Sequence, residues 1–173
     1  MSKFRRVMCF LLSVVAFVCL LPVPGAAQEI ALASEAAVLM DAESGQILYG
    51  KNMDSTMYPA SITKVLTGLL ALKYAKETDK VTMTQAGVSQ VPRTSSHIAL
   101  EPGEEFTMKD ALYALALVSA NDAAVAIAET VSGSVEDFAK LMNEEAEKLG
   151  AYNSHFVNPN GMPNQEHYTT ARD

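Results

Sequence analysis

A strongly apolar stretch in the middle of the chain is interrupted by the triplet S-A-N, and this interruption limits how the chain can fold. Residues 107–133 read TMKDALYALALVSANDAAVAIAETVSG. Thr107 and Asp110 have capping-box spacing at the start, and Gly133 is a typical helix stop. Polar side chains between YALALV and AAVAIA cost free energy if they are buried without partners. The segment therefore predicts two helices, or one interrupted helix, with the break near 119–121.

A second helical pattern runs from Pro59 to about Lys76, and we expect this helix to be largely buried. Proline suits the first turn because no backbone donor is needed there. The apolar positions at helical spacing are Ile62, Val65, Leu66, Leu69, Leu70 and Leu72.

A third helix is predicted between Ser134, which suits the N-cap, and Gly150, which stops it. Its apolar stripe consists of Val135, Phe138, Leu141, Met142 and Leu149. The acidic residues Glu144, Glu145 and Glu147 are expected on its solvated side.

The remaining segments predict a small amount of β-structure. Two apolar runs flank the turn-forming letters DAESG, which indicates a β-hairpin with strands at about 36–41 and 46–50. Residues 77–106 are predicted to form short strands and loops, and EHYTTARD resembles a helix start capped at Thr169 or Thr170. The expected fold class is α+β, with an N-terminal hairpin and a helical cluster in one unit.

The N-terminus is typical of a signal peptide. Three basic residues in MSKFRR precede an apolar run of about 15 residues, which is shorter than the roughly 20 that span a bilayer. Small residues follow, so cleavage is predicted after Ala27, with Ala33 as the second choice. The domain division is then 1–27 for the signal peptide and 28–173 for the mature part, with an uncleaved N-terminal anchor as the alternative.

The composition after the signal argues against cysteine chemistry and against nucleic-acid binding. Both cysteines, Cys9 and Cys19, lie inside the signal, so neither disulfides nor thiol chemistry is expected in the mature chain. The formal net charge of −7 becomes −10 when the signal's three basic residues are removed. Nucleic acid is therefore not expected as a partner, because no basic patch remains to neutralise phosphates.

Ser61 and Lys64 form an S-x-x-K pair at the start of the second helical pattern. Positions i and i+3 share a helix face, so the two side chains project side by side. A lysine amine can deprotonate a serine hydroxyl if burial or a second cation lowers the lysine pKa. A capping serine with a solvated lysine is the alternative interpretation.

Ser119 and Asn121 are a second candidate pair, since they interrupt the apolar helix. A hydroxyl and an amide at this break could face Ser61 and Lys64 across a cleft. The hydroxyl could relay a proton and the amide could hold a substrate carbonyl. A helix break in which both residues act as local caps is the alternative.

Together the motifs resemble those of the low-molecular-mass penicillin-binding proteins, which are serine-type D-alanyl-D-alanine carboxypeptidases. The resemblance covers nearly all of the mature chain and includes S-A-N where the superfamily set has S-D-N. It rests on AAVLMDAESGQILYGKN, YPASITKVLTGLLAL, ALEPGEEFTMKDALYALALVSANDAAVAIAE, HFVNPNGM and HYTTARD, in that order.

The resemblance implies a penicillin-binding/β-lactamase-like transpeptidase fold and a role for each candidate residue. Ser61 would be the acylated nucleophile, Lys64 its general base, Ser119 the proton carrier to the leaving amine, and Asn121 a binder of the substrate backbone. The implied substrates are peptidoglycan stem pentapeptides, with β-lactam antibiotics as covalent inhibitors. The implied location is the periplasm or the outer face of the cytoplasmic membrane, with possible membrane association through a further C-terminal segment.

One motif of this family is missing from the 173 residues. We find no K-T-G, whose lysine would bind the substrate carboxylate and whose strand would supply an oxyanion-hole donor. We therefore expect a C-terminal truncation, with the rest of the sheet and K-T-G beyond Asp173. The fragment itself is expected to be poorly active or inactive.

Other polar residues have simpler interpretations. His97, His155 and His167 lack metal-ligand spacing and are predicted to be structural or on the surface, so no metal or other cofactor is expected. N-P-N-G at 158–161 is predicted to be a turn with Gly161 at positive φ.

Two other functions compete with the carboxypeptidase. A β-lactamase of the same fold is disfavoured by S-A-N and by the lack of an E-x-x-x-N loop. An exported penicillin-binding or scaffold protein without catalysis would be expected to have lost Ser61, Lys64 or Asn121, and all three are present.

Overall fold

The computed structural model describes residues 31–173, in which Ser34–Asp173 forms one compact unit. This unit contains two small antiparallel sheets and a group of helices. The predicted signal peptide at 1–27 lies outside the described residues, and its cleavage site stays a prediction.

The predicted N-terminal hairpin is confirmed. Strands β1 (Ala37–Met40) and β2 (Ile47–Lys51) pair antiparallel, with Leu39 opposite Tyr49. In the turn, the Asp41 carboxylate accepts hydrogen bonds from the Ser44 N–H at 2.8 Å and hydroxyl at 2.6 Å. The aspartate side chain thus closes the DAESG turn, as expected for this residue type.

The Pro59 pattern forms a 3-10 helix, Ala60–Ile62, that continues into α1, Thr63–Tyr74. The expectation that this helix is largely buried was wrong, because Val65 is 74% exposed and Leu72 is 61% exposed. In the part of the chain that the structure describes, other elements pack on only one side of α1. The buried positions are Thr63, Lys64, Thr67, Leu70 and Ala71.

Between α1 and the central helices, the chain forms a second two-stranded sheet. Strand β3 (Lys80–Thr82) pairs antiparallel with β4 (Glu105–Thr107), in agreement with the predicted short strands. A short helix between them, α2 (Gln85–Ser89), was not predicted. Its N-cap is Thr84, whose hydroxyl accepts from the Gly87 N–H at 2.8 Å, and five residues are too few to show helical periodicity.

The interrupted apolar segment forms two helices, α3 (Met108–Val118) and α4 (Asn121–Ser132). The predicted capping box is present, with the Asp110 N–H donating to the Thr107 hydroxyl at 3.1 Å. The break follows from Ser119, whose φ of 55° is left-handed and ends α3. Helix α4 is the centre of the core, since its first eight residues are all buried.

Helix α5 (Val135–Leu149) has the predicted caps, with the Ser134 hydroxyl accepting from the Asp137 N–H at 3.0 Å and Gly150 at φ 88°. The prediction that Glu145 lies on the solvated side was wrong, because this residue is only 4% exposed. Both of its carboxylate oxygens accept from Lys73 Nζ on α1, at 2.6 and 2.8 Å. Glu145 lies on the buried face of α5, and Lys73 neutralises its carboxylate there.

The segment after α5 is irregular and lies against the start of α1. Isolated β-bridges join Met57 to Thr169 and His155 to Tyr168. The Asp173 N–H donates to the Thr170 hydroxyl at 3.1 Å, which is the N-cap spacing predicted there. Within residues 31–173, no helix is both long and apolar enough to cross a membrane.

Candidate active site

Ser61 and Lys64 are brought together at the N-terminal end of α1. Ser61 lies in the 3-10 helix and is exposed, whereas Lys64 lies in the first turn of α1 and is only 6% exposed. Lys64 Nζ donates to Ser61 Oγ at 3.3 Å, as their i, i+3 spacing predicted. Burial of Lys64 contradicts the alternative of a solvated lysine.

Burial makes the neutral form of Lys64 easier to reach than it is for a lysine in water. Its second hydrogen bond, at 2.7 Å, goes to the backbone carbonyl oxygen of Asn160. Burial lowers the pKa of Lys64 from about 10.5 to about 8, because the charged amine loses hydration. At neutral pH about one Lys64 side chain in ten is therefore unprotonated and able to accept a proton.

The loop at 158–161 supplies that carbonyl, which sequence reasoning missed. Asn158 Oδ1 accepts from the Gly161 N–H at 2.7 Å, and the Thr67 hydroxyl donates to the Pro159 carbonyl at 2.6 Å. The predicted turn is confirmed, with Gly161 at φ 81°. Because the contact to Lys64 uses a backbone oxygen, the identity of residue 160 gave no signal for it.

Ser119 lies at the same cleft as Ser61 and Lys64. The cleft has a volume of about 830 Å³ and runs between α1 and α3. At its other end Glu77 and Lys109 form an ion pair at 3.7 Å, and its walls are the side chains of Val65, Leu69, Leu72, Leu112, Tyr113 and Leu115. Three of the four predicted site residues therefore line one cavity.

Two polar atoms near the cleft have no partner among residues 31–173. They are Ser119 Oγ and Asn121 Oδ1, both of which are buried. Unpaired buried polar atoms cost free energy, so each calls for an explanation, and a catalytic role is one of them. Asn121 is not among the residues that line the cleft; its amide nitrogen lies 3.8 Å from Met162 Sδ.

Asp122 supports the break between α3 and α4 and was not identified from the sequence. It is 3% exposed, and its carboxylate accepts from the N–H groups of Ile98 at 3.1 Å and Leu100 at 3.0 Å. The Asn121 N–H donates to the Ser96 carbonyl at 2.9 Å. These hydrogen bonds hold the 96–100 segment against the start of α4. The acidic residue directly after S-A-N was the sequence feature that could have indicated this role.

The histidines are not arranged as metal ligands. His167 is 2% exposed and hydrogen-bonded to Thr63, while His97 is half-buried and hydrogen-bonded to the Arg93 carbonyl. Across the described part of the chain, no three His, Cys, Asp or Glu side chains are grouped so that they could hold a metal ion.

A serine hydroxyl beside a buried lysine amine lines one cleft with a second serine, and the fold is that of the penicillin-binding DD-peptidases. The structure of penicillin-binding protein 5 from Haemophilus influenzae matches with a TM-score of 0.76 and 33% identity. The match covers 83% of this chain and 43% of that one.

The chain belongs to the D-alanyl-D-alanine carboxypeptidase family, whose match spans residues 24–173. It is 42% identical over 150 residues to the D-alanyl-D-alanine carboxypeptidase DacF of Bacillus subtilis, covering 84% of this chain and 38% of DacF. Identity to DacA of Haemophilus influenzae is 36% over 82% of this chain and 37% of DacA. The chain thus spans less than two fifths of the length of these relatives.

Proposed function

We propose that the protein is a serine D-alanyl-D-alanine carboxypeptidase, which removes the terminal D-alanine from peptidoglycan stem pentapeptides through an acyl-serine intermediate. The observation that supports this most directly is the buried Lys64 amine, 3.3 Å from Ser61 Oγ and with a pKa lowered to about 8. Membership of the family supports the same activity.

Acylation begins when neutral Lys64 takes the proton of the Ser61 hydroxyl. Ser61 Oγ forms a bond to the carbonyl carbon of the peptide bond between the two D-alanines, which gives a tetrahedral intermediate. The carbon–nitrogen bond then breaks, and the leaving amine of the terminal D-alanine needs one proton. That proton is the one held by Lys64, so the step balances without a cofactor.

Ser119 and Asn121 complete the proposed site. The Ser119 hydroxyl passes the proton from Lys64 towards the leaving amine, which fits its place in the cleft and its unpaired Oγ. Asn121 lies behind the residues that line the cleft, and we assign it the substrate backbone because its unpaired Oδ1 can accept from a peptide N–H. Water then attacks the ester, and hydrolysis releases the shortened peptide and restores the Ser61 hydroxyl.

Covalent labelling by penicillin tests the nucleophile, because a β-lactam mimics the D-Ala-D-Ala peptide. We expect the full-length protein to be labelled by a fluorescent penicillin, with the adduct on Ser61 in peptide mass spectrometry. Ser61→Ala should lose the band, whereas Ser55→Ala, at another exposed serine, should keep it. An adduct on any other residue would contradict the assignment.

Turnover separates this proposal from its alternatives. The labelled protein should release D-alanine from a D-Ala-D-Ala-terminated pentapeptide and hydrolyse penicillin only slowly. Rapid penicillin hydrolysis would identify a β-lactamase instead. Labelling without release of D-alanine would identify a penicillin-binding protein that has lost catalysis.

We also propose that the protein is exported and acts in the periplasm or on the outer face of the cytoplasmic membrane. The basic and apolar N-terminus supports this, as does the nature of the substrate. N-terminal sequencing of the protein from the cell envelope should start near Gln28. An intact Met1 in that fraction would favour an uncleaved anchor. Membrane association through a further C-terminal segment would place the cleaved protein in the membrane pellet.

A further inference from the structure

His167 makes one buried and one part-buried hydrogen bond, and together they fix which of its ring nitrogens carries the proton. Nδ1 lies 3.1 Å from the Val157 backbone N–H, which can only donate, so Nδ1 is the acceptor. The proton of a neutral ring therefore sits on Nε2, which donates to Thr63 Oγ1 at 2.7 Å. Burial, with a smaller contribution from His155, lowers the pKa of His167 to about 4, so the ring is neutral at physiological pH.

This histidine joins the two pieces of chain that meet at Lys64. Thr63 is the first residue of α1 and lies directly before Lys64 in sequence. Val157 directly precedes the 158–161 loop, whose Asn160 carbonyl accepts from Lys64 Nζ at 2.7 Å. The ring of Phe156 packs edge-on against the His167 ring, with centroids 5.5 Å apart. Since Thr63 and His167 are each 2% exposed, water does not compete for the hydrogen bond between them.

We propose that His167, as the neutral Nε2–H tautomer, is a positioning residue that holds the first turn of α1 against the 158–161 loop and so fixes Lys64 relative to Ser61. The proposal rests on the proposed function, since it concerns the same serine–lysine pair. The Lys64–Ser61 hydrogen bond is already long at 3.3 Å, and the Asn160 carbonyl holds the Lys64 amine from the other side, so a small movement of the loop away from α1 would let the amine leave Ser61.

Two substitutions at position 167 separate the two hydrogen bonds of the ring. His167→Gln can place an amide donor near the position of Nε2, which keeps the bond to Thr63. His167→Asn can place an amide oxygen near the position of Nδ1, which keeps the bond to Val157 and loses the bond to Thr63. Thr63→Val removes the acceptor at nearly constant volume, and Thr63→Ser retains it.

Acylation by penicillin in the full-length protein is measured as a function of penicillin concentration, which gives the acylation rate constant and the dissociation constant separately. We expect His167→Asn and Thr63→Val to lower the rate constant about tenfold to a hundredfold with a nearly unchanged dissociation constant. His167→Gln and Thr63→Ser should stay within a few-fold of wild type. His155→Asn, at a neighbouring histidine outside these bonds, is the control and should match wild type.

Thermal melting and NMR distinguish positioning from a purely structural role. The proposal would be overturned if the acylation rate constants of the variants decreased in proportion to their melting temperatures, whether or not each variant keeps the hydrogen bond between positions 63 and 167. It would also be overturned by ring nitrogen shifts that show the proton on Nδ1 or a doubly protonated ring. Wild-type protein labelled at Ser61, with His167→Asn acylating at the normal rate, would remove the positioning role alone. Labelling that persists in Ser61→Ala would remove the proposed function, and the positioning role with it.

Discussion

Gly161 lies so close to Ala60 that a Cβ at position 161 would overlap the backbone carbonyl of Ala60. Ala60 directly precedes Ser61 and has a φ of 46°, in the left-handed region that only a few non-glycine residues adopt. This close backbone approach brings the 158–161 loop to the start of α1. It thereby allows the Asn160 carbonyl to reach Lys64 Nζ at 2.7 Å.

Gly161→Ala should therefore destabilise the protein by about 3 kcal/mol or more, because backbone atoms cannot move aside as a flexible side chain can. Gly103→Ala is the matched control, since Gly103 has a similar φ of 85° and a methyl group added there would meet no atom within 4 Å. Gly103→Ala should lower the free energy of unfolding by only about 1 kcal/mol, which is the cost of placing an alanine at positive φ. Urea unfolding gives both values, and equal costs would show that the contact with Ala60 is unimportant.

Lys64→Arg should lower the rate of penicillin acylation roughly a hundredfold or more, although it retains the positive charge. An arginine guanidinium cannot lose its proton near neutral pH and so cannot act as the base. The measurement is the second-order acylation rate of full-length wild type and variant, with thermal melting to show that both are folded. Lys73→Arg on the same helix is the control and should keep its ion pair to Glu145 and its activity. A folded Lys64→Arg variant within a few-fold of wild type would exclude general-base catalysis.

Local patterns predicted much of the fold because their causes are local. The capping box at Thr107 and Asp110, the stop at Gly150 and the β1–β2 hairpin each depend on residues within a few positions of one another. The same is true of Ser61 and Lys64, whose i, i+3 spacing determines that their side chains meet.

Contacts between distant segments could not be predicted in the same way. Glu145 was expected at the surface because it is charged. Its partner in the buried ion pair, Lys73, is 72 positions away in sequence. The Asn160 carbonyl, 96 positions from Lys64, is a backbone atom without a residue-type signature. Exposure of Val65 and Leu72 depends on which elements pack against α1, which helical spacing does not specify.

The Lys73–Glu145 ion pair should matter more than ion pairs at the surface. Its carboxylate is 6% exposed and its lysine 45% exposed, whereas Lys80 and Glu105 form a pair with 66% and 52% exposure. Lys73→Met would leave a buried carboxylate without its partner, so we expect a larger loss of stability than from Lys80→Met. Lys80→Met should cost at most about 1 kcal/mol. Chemical denaturation of both variants is the test, and similar losses would show that burial of Glu145 adds nothing.

The pH dependence of acylation should follow the ionisation of Lys64. Because burial lowers the pKa of this lysine to about 8, its neutral fraction rises about tenfold per pH unit below pH 8 and levels off above it. The second-order rate of acylation reports ionisations of the free enzyme, so it should show the same rising limb. His167, with a pKa lowered to about 4, does not titrate in this range.

A change in folding stability linked to Lys64 cannot produce the predicted rise of the acylation rate with pH. A lysine whose pKa is lower in the folded state binds fewer protons there than in the unfolded state only between about pH 8 and pH 10.5. Stability from this group therefore rises with pH across that window and is constant between about pH 6 and 7, where the rate should change about tenfold. Stopped-flow acylation from about pH 6 to 9, with melting temperatures at each pH, makes the comparison. A flat rate profile in protein that stays folded would show that proton transfer to Lys64 does not limit acylation.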